Sequence, residues 1–413
     1  MTGERRRSLS LVPRFDRRIW MLTGAMLVFR FGQGLYYPFS TIYFHNVLGI
    51  PLSLVGSGLA ALAVASVASS LVCGPLTDRY GRKPVMLASL LGSAATFSSF
   101  ALISNFWGYL AVSVTAGLVG SSAFDTARNA MIADVSPGPL RARTYGLVRV
   151  GGNIGWALGP AAAGLIASLA RENDTIYRLM FVGTGALTLI VLAALALLVR
   201  ESLPKVEEQD LSTVPLSKLK AALSDGPYLV LLVVGLLLYY VFTQDWQALP
   251  VYARNFLDVP DMWIGLFLAG NGLMVIVLQI PVSYLLDGRS KVAALTVGAA
   301  LFAASSITLL VTESLLGILI AFTGFFTLAE MILEVAGASL AAELAPTAKR
   351  GTYLALFGCC FGAGYGISPI AAGLLLDWHL PQALWAIQLT AAALSISGLM
   401  VLAELRRRAA REI

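Results

Sequence analysis

Six ionisable side chains occupy positions where a charge is expensive. Arg30, Asp125, Arg128, Arg149, Glu330 and Glu334 each lie well inside a long apolar stretch. A charge at the centre of an apolar helix in lipid costs about 2.5–3.5 kcal/mol, so six of them facing hydrocarbon would cost roughly 15–20 kcal/mol. They must therefore face water or one another. Helical spacing groups them: Asp125, Arg128 and Asn129 share a face, as do Glu330 and Glu334, and as do Arg149, Asn153 and Trp156. The i, i+3 pair Asp125–Arg128 reads as a structural ion pair. Glu330 and Glu334 have no cation on their own stretch, and two acids crowded in a low dielectric can retain a proton near neutral pH. These two are the leading proton-binding candidates, with Asp125 and Asp245 behind them. The alternative is that they contact Arg30 or Arg149 across a cavity and never titrate.

Other chemistries find little support. The histidines are His45 and His379, far apart, and the cysteines Cys73, Cys359 and Cys360 lie in apolar runs without CxxC spacing. Neither a metal site, a disulfide framework nor a Ser–His–Asp or Cys–His nucleophile can be assembled. The run Gly362-Ala-Gly364-Tyr-Gly366 has no strand before it, so it is not a nucleotide loop. No ATP-binding motif is present. The chain does not read as an enzyme, and no cofactor is expected beyond protons as a coupling ion.

The elements that must position these charges are membrane helices. The 413 residues are 57% hydrophobic and 13% charged, against about 25% charged in soluble domains. Crossing the hydrocarbon takes about 20 apolar residues. Runs of that length fall near 20–44, 52–74, 84–103, 107–133, 145–170 and 177–199, then 227–252, 263–286, 292–311, 315–344, 353–376 and 383–402. The fold class expected is an all-α membrane protein of twelve spans. The basic start, Met1 to Arg18, followed by a long run without a cleavage site, reads as leading into an uncleaved first span. With both ends in the cytoplasm, 23 of the 29 Lys and Arg fall in inside segments, and only Arg171, Arg178 and Arg254 fall outside. That is the positive-inside pattern.

A single offset of 209 residues aligns the two halves without a gap. It places Pro51 on Pro260, Gly56 on Gly265, and His45-Asn46 on Arg254-Asn255. Acids fall on acids: Asp78 on Asp287, Asp125 on Glu334, Asp134 on Glu343. Arg141 meets Arg350, Gly155 meets Gly364, Pro160 meets Pro369 and Gly164 meets Gly373. Matches of this kind in a charge-poor chain point to two six-helix bundles, 1–200 and 226–413, joined by a cytoplasmic linker over 201–225.

Between spans two and three the chain reads Gly74-Pro-Leu-Thr-Asp78-Arg79-Tyr-Gly81-Arg82-Lys83. Glycines there permit a tight turn, and Asp78 can pair with arginine in one conformation and release it in another. This stretch resembles the signature loop of the major facilitator superfamily, G-x-L-x-D-R-x-G-R-K, at every fixed position, and Asp287-Gly-Arg289-Ser-Lys291 echoes it. Span five carries Gly155-x-x-x-Gly159-Pro160-x-x-Ala163-Gly164, similar to the G-x-x-x-G-P-x-x-G-G motif of the antiporter branches, with Ala163 in place of a glycine. Its small residues suit close helix approach. The resemblance implies a gate in which Asp78 braces the outward-facing state with Arg79, Arg82 and Asp134 as partners, and Asp287 and Glu343 in the second half. Proton-coupled members often carry an arginine four residues before the glycine that Gly117 would match. Ser113 stands there, so coupling would pass to other buried charges.

The resemblance also implies that spans one, four, seven and ten line a central cavity. Arg30, Asp125, Arg128, Asp245, Glu330 and Glu334 all fall on those spans. Polar and aromatic neighbours, Gln33, Tyr36, Tyr37, Tyr239, Tyr240, Gln244 and Trp246, could hold a substrate, and acids among aromatics suit cationic amphiphiles. The expectation is a monomeric, multi-pass inner-membrane protein, similar to the drug:proton antiporters, that exports small amphiphilic or cationic molecules, contacts lipid and binds no nucleic acid. An exporter or flippase of lipid-like molecules, a metabolite exchanger, and a non-transporting receptor or scaffold are the alternatives.

Overall fold

The computed structural model describes residues 15–136, 140–170, 174–202, 222–346 and 350–409. Among them the chain is helical throughout, with no strand, as an apolar solvent demands when each backbone group must be satisfied within its own segment. The first half runs α1 (Arg17–Ile42, continued by a π turn over Tyr43–Val47), α2 (Leu52–Tyr80), α3 (Arg82–Phe100), α4 (Phe106–Val119), α5 (Ser121–Val135), α6 (Arg141–Ala170) and α7 (Asp174–Leu198). The second half runs α8 (Gly226–Phe256), α9 (Asp261–Leu286), α10 (Lys291–Val311), α11 (Leu315–Ile318), a π-helical stretch (Leu319–Phe326), α12 (Thr327–Leu344), α13 (Arg350–Asp377) and α14 (Pro381–Ala409). These make twelve membrane rods, since α4–α5 and α11–α12 are each one interrupted span. Ten of the rods are long and apolar enough to cross a membrane by composition alone. The other two are diluted by polar residues, α1 by Arg30 and Gln33 within it and the short α3 by its opening Arg82-Lys83.

Side chains start several of the helices. Asp16 caps α1 through Arg18 N–H, Asn105 caps α4 through Gly108 N–H, and Asp225 caps α8 through Tyr228 N–H. The Arg18 guanidinium holds the Asp16 carboxyl below the usual carboxylate range. The interruptions within spans four and ten were not expected. At Gly120 a side chain would meet Ala116 O at 2.1 Å, so only glycine fits the break. The second-half counterpart relaxes the helix by a π stretch instead.

The 209-residue repeat is visible as a contact. Asn46 and Asn255, which it pairs, exchange two amide hydrogen bonds, of 2.9 Å and 3.0 Å. Two side chains that bond each other reciprocally lie on the pseudo-two-fold axis itself. The seams between bundles obey the same operator. Gly265 packs against Pro160 O of α6, and its mate Gly56 packs against Pro369 O of α13, where an added methyl group would sit 2.3 Å and 2.1 Å from those oxygens. Gly164 meets Asp261 O and Gly373 meets Leu52 O in the same relation. Thus α6–α9 and α2–α13 are the two main helix pairs through which the bundles touch. Small residues let their backbones approach closely. Most of the linker, 203–221, lies outside the described residues.

Candidate functional site

The signature stretch does not form a loop from end to end. Residues Gly74 to Tyr80 are the last two turns of α2, Arg82 opens α3, and the turn is Gly81 alone, at φ +104°. That positive φ is why glycine is required there. Gly74 has open space around it and makes no turn. Around Gly81 a compact polar knot forms. Arg82 bonds Asp78 at 2.9 Å and Asp134 of α5 at 3.0 Å. Glu201 receives the Arg82 and Lys83 backbone N–H groups at 3.1 Å and 2.9 Å, and so caps α3 from the end of the sixth span. Asp78 is 63% exposed. Arg79 lies over the Tyr80 ring. In the second half, Asp287 is exposed at the end of α9, and Glu343 pairs loosely with Arg406 of α14 at 3.4 Å.

The antiporter-type motif is a packing device. A side chain at Gly155 would meet Leu27 O at 2.3 Å, and one at Gly159 would meet Phe31 O at 2.6 Å. Pro160 packs on Gly34, and Gly164 lies against Gly265 of α9. One face of α6 therefore grips α1 inside its bundle, while the outer part of the same motif makes the seam to the other bundle.

At mid-length of the rods the buried charges line two facing walls. On the first, Arg30 donates to Gln33 at 2.6 Å and to Asp125 at 3.0 Å. Arg128 donates to the other Asp125 oxygen at 2.5 Å and to Asn129 at 3.0 Å. The expected Asp125–Arg128 pair is thus a triad, with one carboxylate shared between two guanidinium groups. On the second wall, Glu330 accepts from Asn271 of α9 at 2.7 Å, and Asn271 also donates to Thr327 at 2.9 Å. Arg149 of α6 reaches across to Glu334 at 3.6 Å, too long for a close charge-assisted bond. Although these groups are deep along their helices, solvent reaches them: side-chain exposure is 21% for Arg30, 30% for Asp125 and 33% for Glu334.

Above this level, toward the end carrying Asn46, aromatic side chains join the bundles. Tyr37 bonds the Tyr365 hydroxyl, and Trp156 sits 5.9 Å from both the Tyr37 and Trp246 rings. The Trp246 indole N–H is buried and has no protein partner among the described residues. Higher still, Asp377 at the end of α13 accepts the backbone N–H groups of Leu52 and Ser53, each at 2.9 Å, at the start of α2. Among the described residues, the hydrogen bonds joining the two bundles lie at this end, at or above Tyr37. The Asn46 end is therefore the end at which the bundles are bonded together.

Several residues expected in the cavity are placed elsewhere. Asp245 is 1% exposed and accepts from Gln388 of α14 at 2.5 Å, inside its own bundle and apart from Glu330 and Glu334. Gln244 is fully buried with its amide on Leu384 O. Tyr36 packs among Phe97, Phe100 and Phe181 within the first bundle. Tyr239, by contrast, stays at the second wall: it packs on Phe357 and Phe361 and its hydroxyl bonds Glu334, while Tyr240 is half-buried beside it on α8. Asn153 stands half-buried on α6 between Arg149 and Trp156. Asn271, Tyr365, Gln388 and Asp377 were missed. Asn271 had a readable signal, an amide at the middle of a largely apolar span. The other three acquire meaning only from partners more than 140 residues away.

Two pseudo-symmetric six-helix bundles around a solvent-reached, charged mid-depth cleft define a multi-pass membrane transporter and not an enzyme. The family model described as Major Facilitator Superfamily matches residues 22–327 and 258–412. The chain belongs to the Major Facilitator Superfamily. It is 27% identical over 401 residues to a Na(+), Li(+), K(+)/H(+) antiporter of Planococcus maritimus, covering 88% of each chain. It is 24% identical over 400 residues to the multidrug resistance protein MdtH of Edwardsiella ictaluri (strain 93-146), covering 96% of this chain and 95% of the relative. Among solved structures, a POT family transporter superposes with a TM-score of 0.78 at 13% identity, covering 95% of this chain and 96% of that one, which shows the shared fold.

Proposed function

We propose that the protein is a proton-coupled antiporter that exports amphiphilic, cationic compounds from the cytoplasm by alternating access. The carrying observation is the second wall. Glu330 and Glu334 lie one helical turn apart at mid-depth, partly exposed, and hold between them the Asn271 amide, the Tyr239 hydroxyl and the distant Arg149 guanidinium. Carboxylates placed so can exchange a proton for a cation. Aromatic rings of Tyr37, Trp156 and Trp246 above them suit a flat apolar cation. The relatives named as a multidrug resistance protein and a cation/H+ antiporter support the same reading. The protein acts as a monomer in the inner membrane with both ends in the cytoplasm, as the Lys and Arg distribution favours. The bonded Asn46 end then faces outward, and the conformation described is inward-facing. Asp78, Arg82 and Asp134 would brace the opposite state.

The test is substrate-induced proton movement in proteoliposomes. With a pH gradient imposed, a transported cationic dye should discharge the gradient, and Glu330→Gln or Glu334→Gln should abolish pH-driven dye accumulation while leaving downhill movement. If both variants accumulate dye like the parent, the proton assignment is wrong.

A further inference from the structure

The two walls of the cleft carry opposite surplus charge, and that division is not explained by a purely cationic substrate. The first bundle contributes Arg30, Arg128 and Arg149 against the single carboxylate of Asp125, whereas the second contributes Glu330 and Glu334 and no cation. Asp245 is turned into its own bundle and takes no part. Asp125 divides its two oxygens between Arg30 and Arg128, which leaves one guanidinium charge uncompensated there. The Arg128 Nε–H is buried and has no acceptor among the described residues. Across the cleft, Glu330 is answered by a neutral amide. Water only partly compensates a charge this deep along its helix, so each wall attracts a group of opposite sign. The walls do not supply this to each other in the conformation described, where the one ion pair between them, among the described residues, is Arg149–Glu334 at 3.6 Å.

We infer that the preferred substrates are dipolar: amphiphiles that carry an anionic group, received at Arg30 and Arg128, together with a cationic group received at Glu330 and Glu334. This rests on the transport reading above and narrows it from cations to zwitterions. It also gives proton entry a second effect, because neutralising the acidic wall releases the cationic end of the substrate and leaves the anionic end held by the arginines alone.

The test uses one dye scaffold in three charge states. Rhodamine B carries a carboxylate and a delocalised cation, its ethyl ester keeps the cation and loses the carboxylate, and fluorescein is an anion. The full-length protein in proteoliposomes, under one imposed pH gradient, should move rhodamine B with kcat/KM roughly tenfold or more above the ester, the worth of one charge-assisted hydrogen bond. Fluorescein should move least. Arg30→Gln should bring the ratio of rhodamine B to ester toward one, and Arg30→Lys should restore it in part. Each ratio is taken within one preparation, and the dye comparison itself needs no variant. An ester moved as well as rhodamine B by the parent protein, or a ratio unchanged in Arg30→Gln, overturns the dipolar inference and leaves cation antiport standing. Movement of no dye under the gradient overturns both.

Discussion

Asp377 occupies the last position of α13, where the negative end of its own helix dipole disfavours a carboxylate. What offsets this is the start of α2, whose first two free N–H groups, on Leu52 and Ser53, both point at it at 2.9 Å. The contact crosses the bundle interface, so it exists only while the Asn46 end is closed. Replacing Asp377 by alanine removes an acceptor for two N–H groups in a half-exposed setting. Loss of a helix cap costs about 0.5–2 kcal/mol, and we take about 1–2 kcal/mol because two bonds and a charge are lost together. At about 1.4 kcal/mol per factor of ten, the open population at the Asn46 end should rise roughly 5- to 30-fold. Spin labels on Leu48 and Leu257, which the 209-residue repeat pairs, would report this by electron–electron distance measurement after Cys73, Cys359 and Cys360 are replaced by serine. Asp377→Ala should move weight from short to long distances. Asp377→Asn, which keeps an oxygen acceptor without the charge, should fall between. Identical distributions in all three proteins would refute the argument that this carboxylate holds the end closed.

Other consequences follow from the seams and the polar knot. Gly265→Val places side-chain atoms against Pro160 O, where even a Cβ would be 2.3 Å away, so the Asn46 end should fail to close and transport should fall at least tenfold. Gly56→Val should do the same through Pro369 O, and the labelled pair at 48 and 257 should show the long distance in both. Arg82→Ala removes two ion pairs and leaves Asp134 with Ser202 as its remaining described partner. Transport should fall at least fivefold while membrane insertion, read by protein yield, changes little. Asn271→Leu strips Glu330 of its hydrogen bond. Dye-driven proton movement in proteoliposomes should then fall, since the carboxylate loses its described hydrogen-bond donor. Asp16 is depressed by Arg18, so its contribution to anchoring α1 is present above the ordinary carboxylate value near 4 and is lost as pH falls through its lower folded value. Asp16→Asn should abolish that acid-side loss in amide exchange of the first turn of α1.

Much of the architecture was legible from the chain alone because lipid leaves few options. Apolar runs about 20 residues long must be helices, and the glycines and prolines at the 209-residue offset turned out to be the contacts that relate the bundles, as Gly56–Pro369 and Pro160–Gly265 show. The pairing of Arg82 with Asp78 and Asp134 was likewise readable, and the structure holds both ion pairs. Local period could not reveal which faces turn inward. Asp245 shares a span with Trp246, yet one side chain enters its own bundle and the other reaches the cleft. A hundred degrees of helix rotation separates them, and only packing against α14 and α6 fixes the phase. The grouping of Asn271 with Glu330, the shared carboxylate of Asp125 and the cap that Asp377 gives to α2 were decided by tertiary structure for the same reason. Sequence determines that a charge inside the membrane must find a partner. Which partner it finds depends on how helices distant in the chain are brought together.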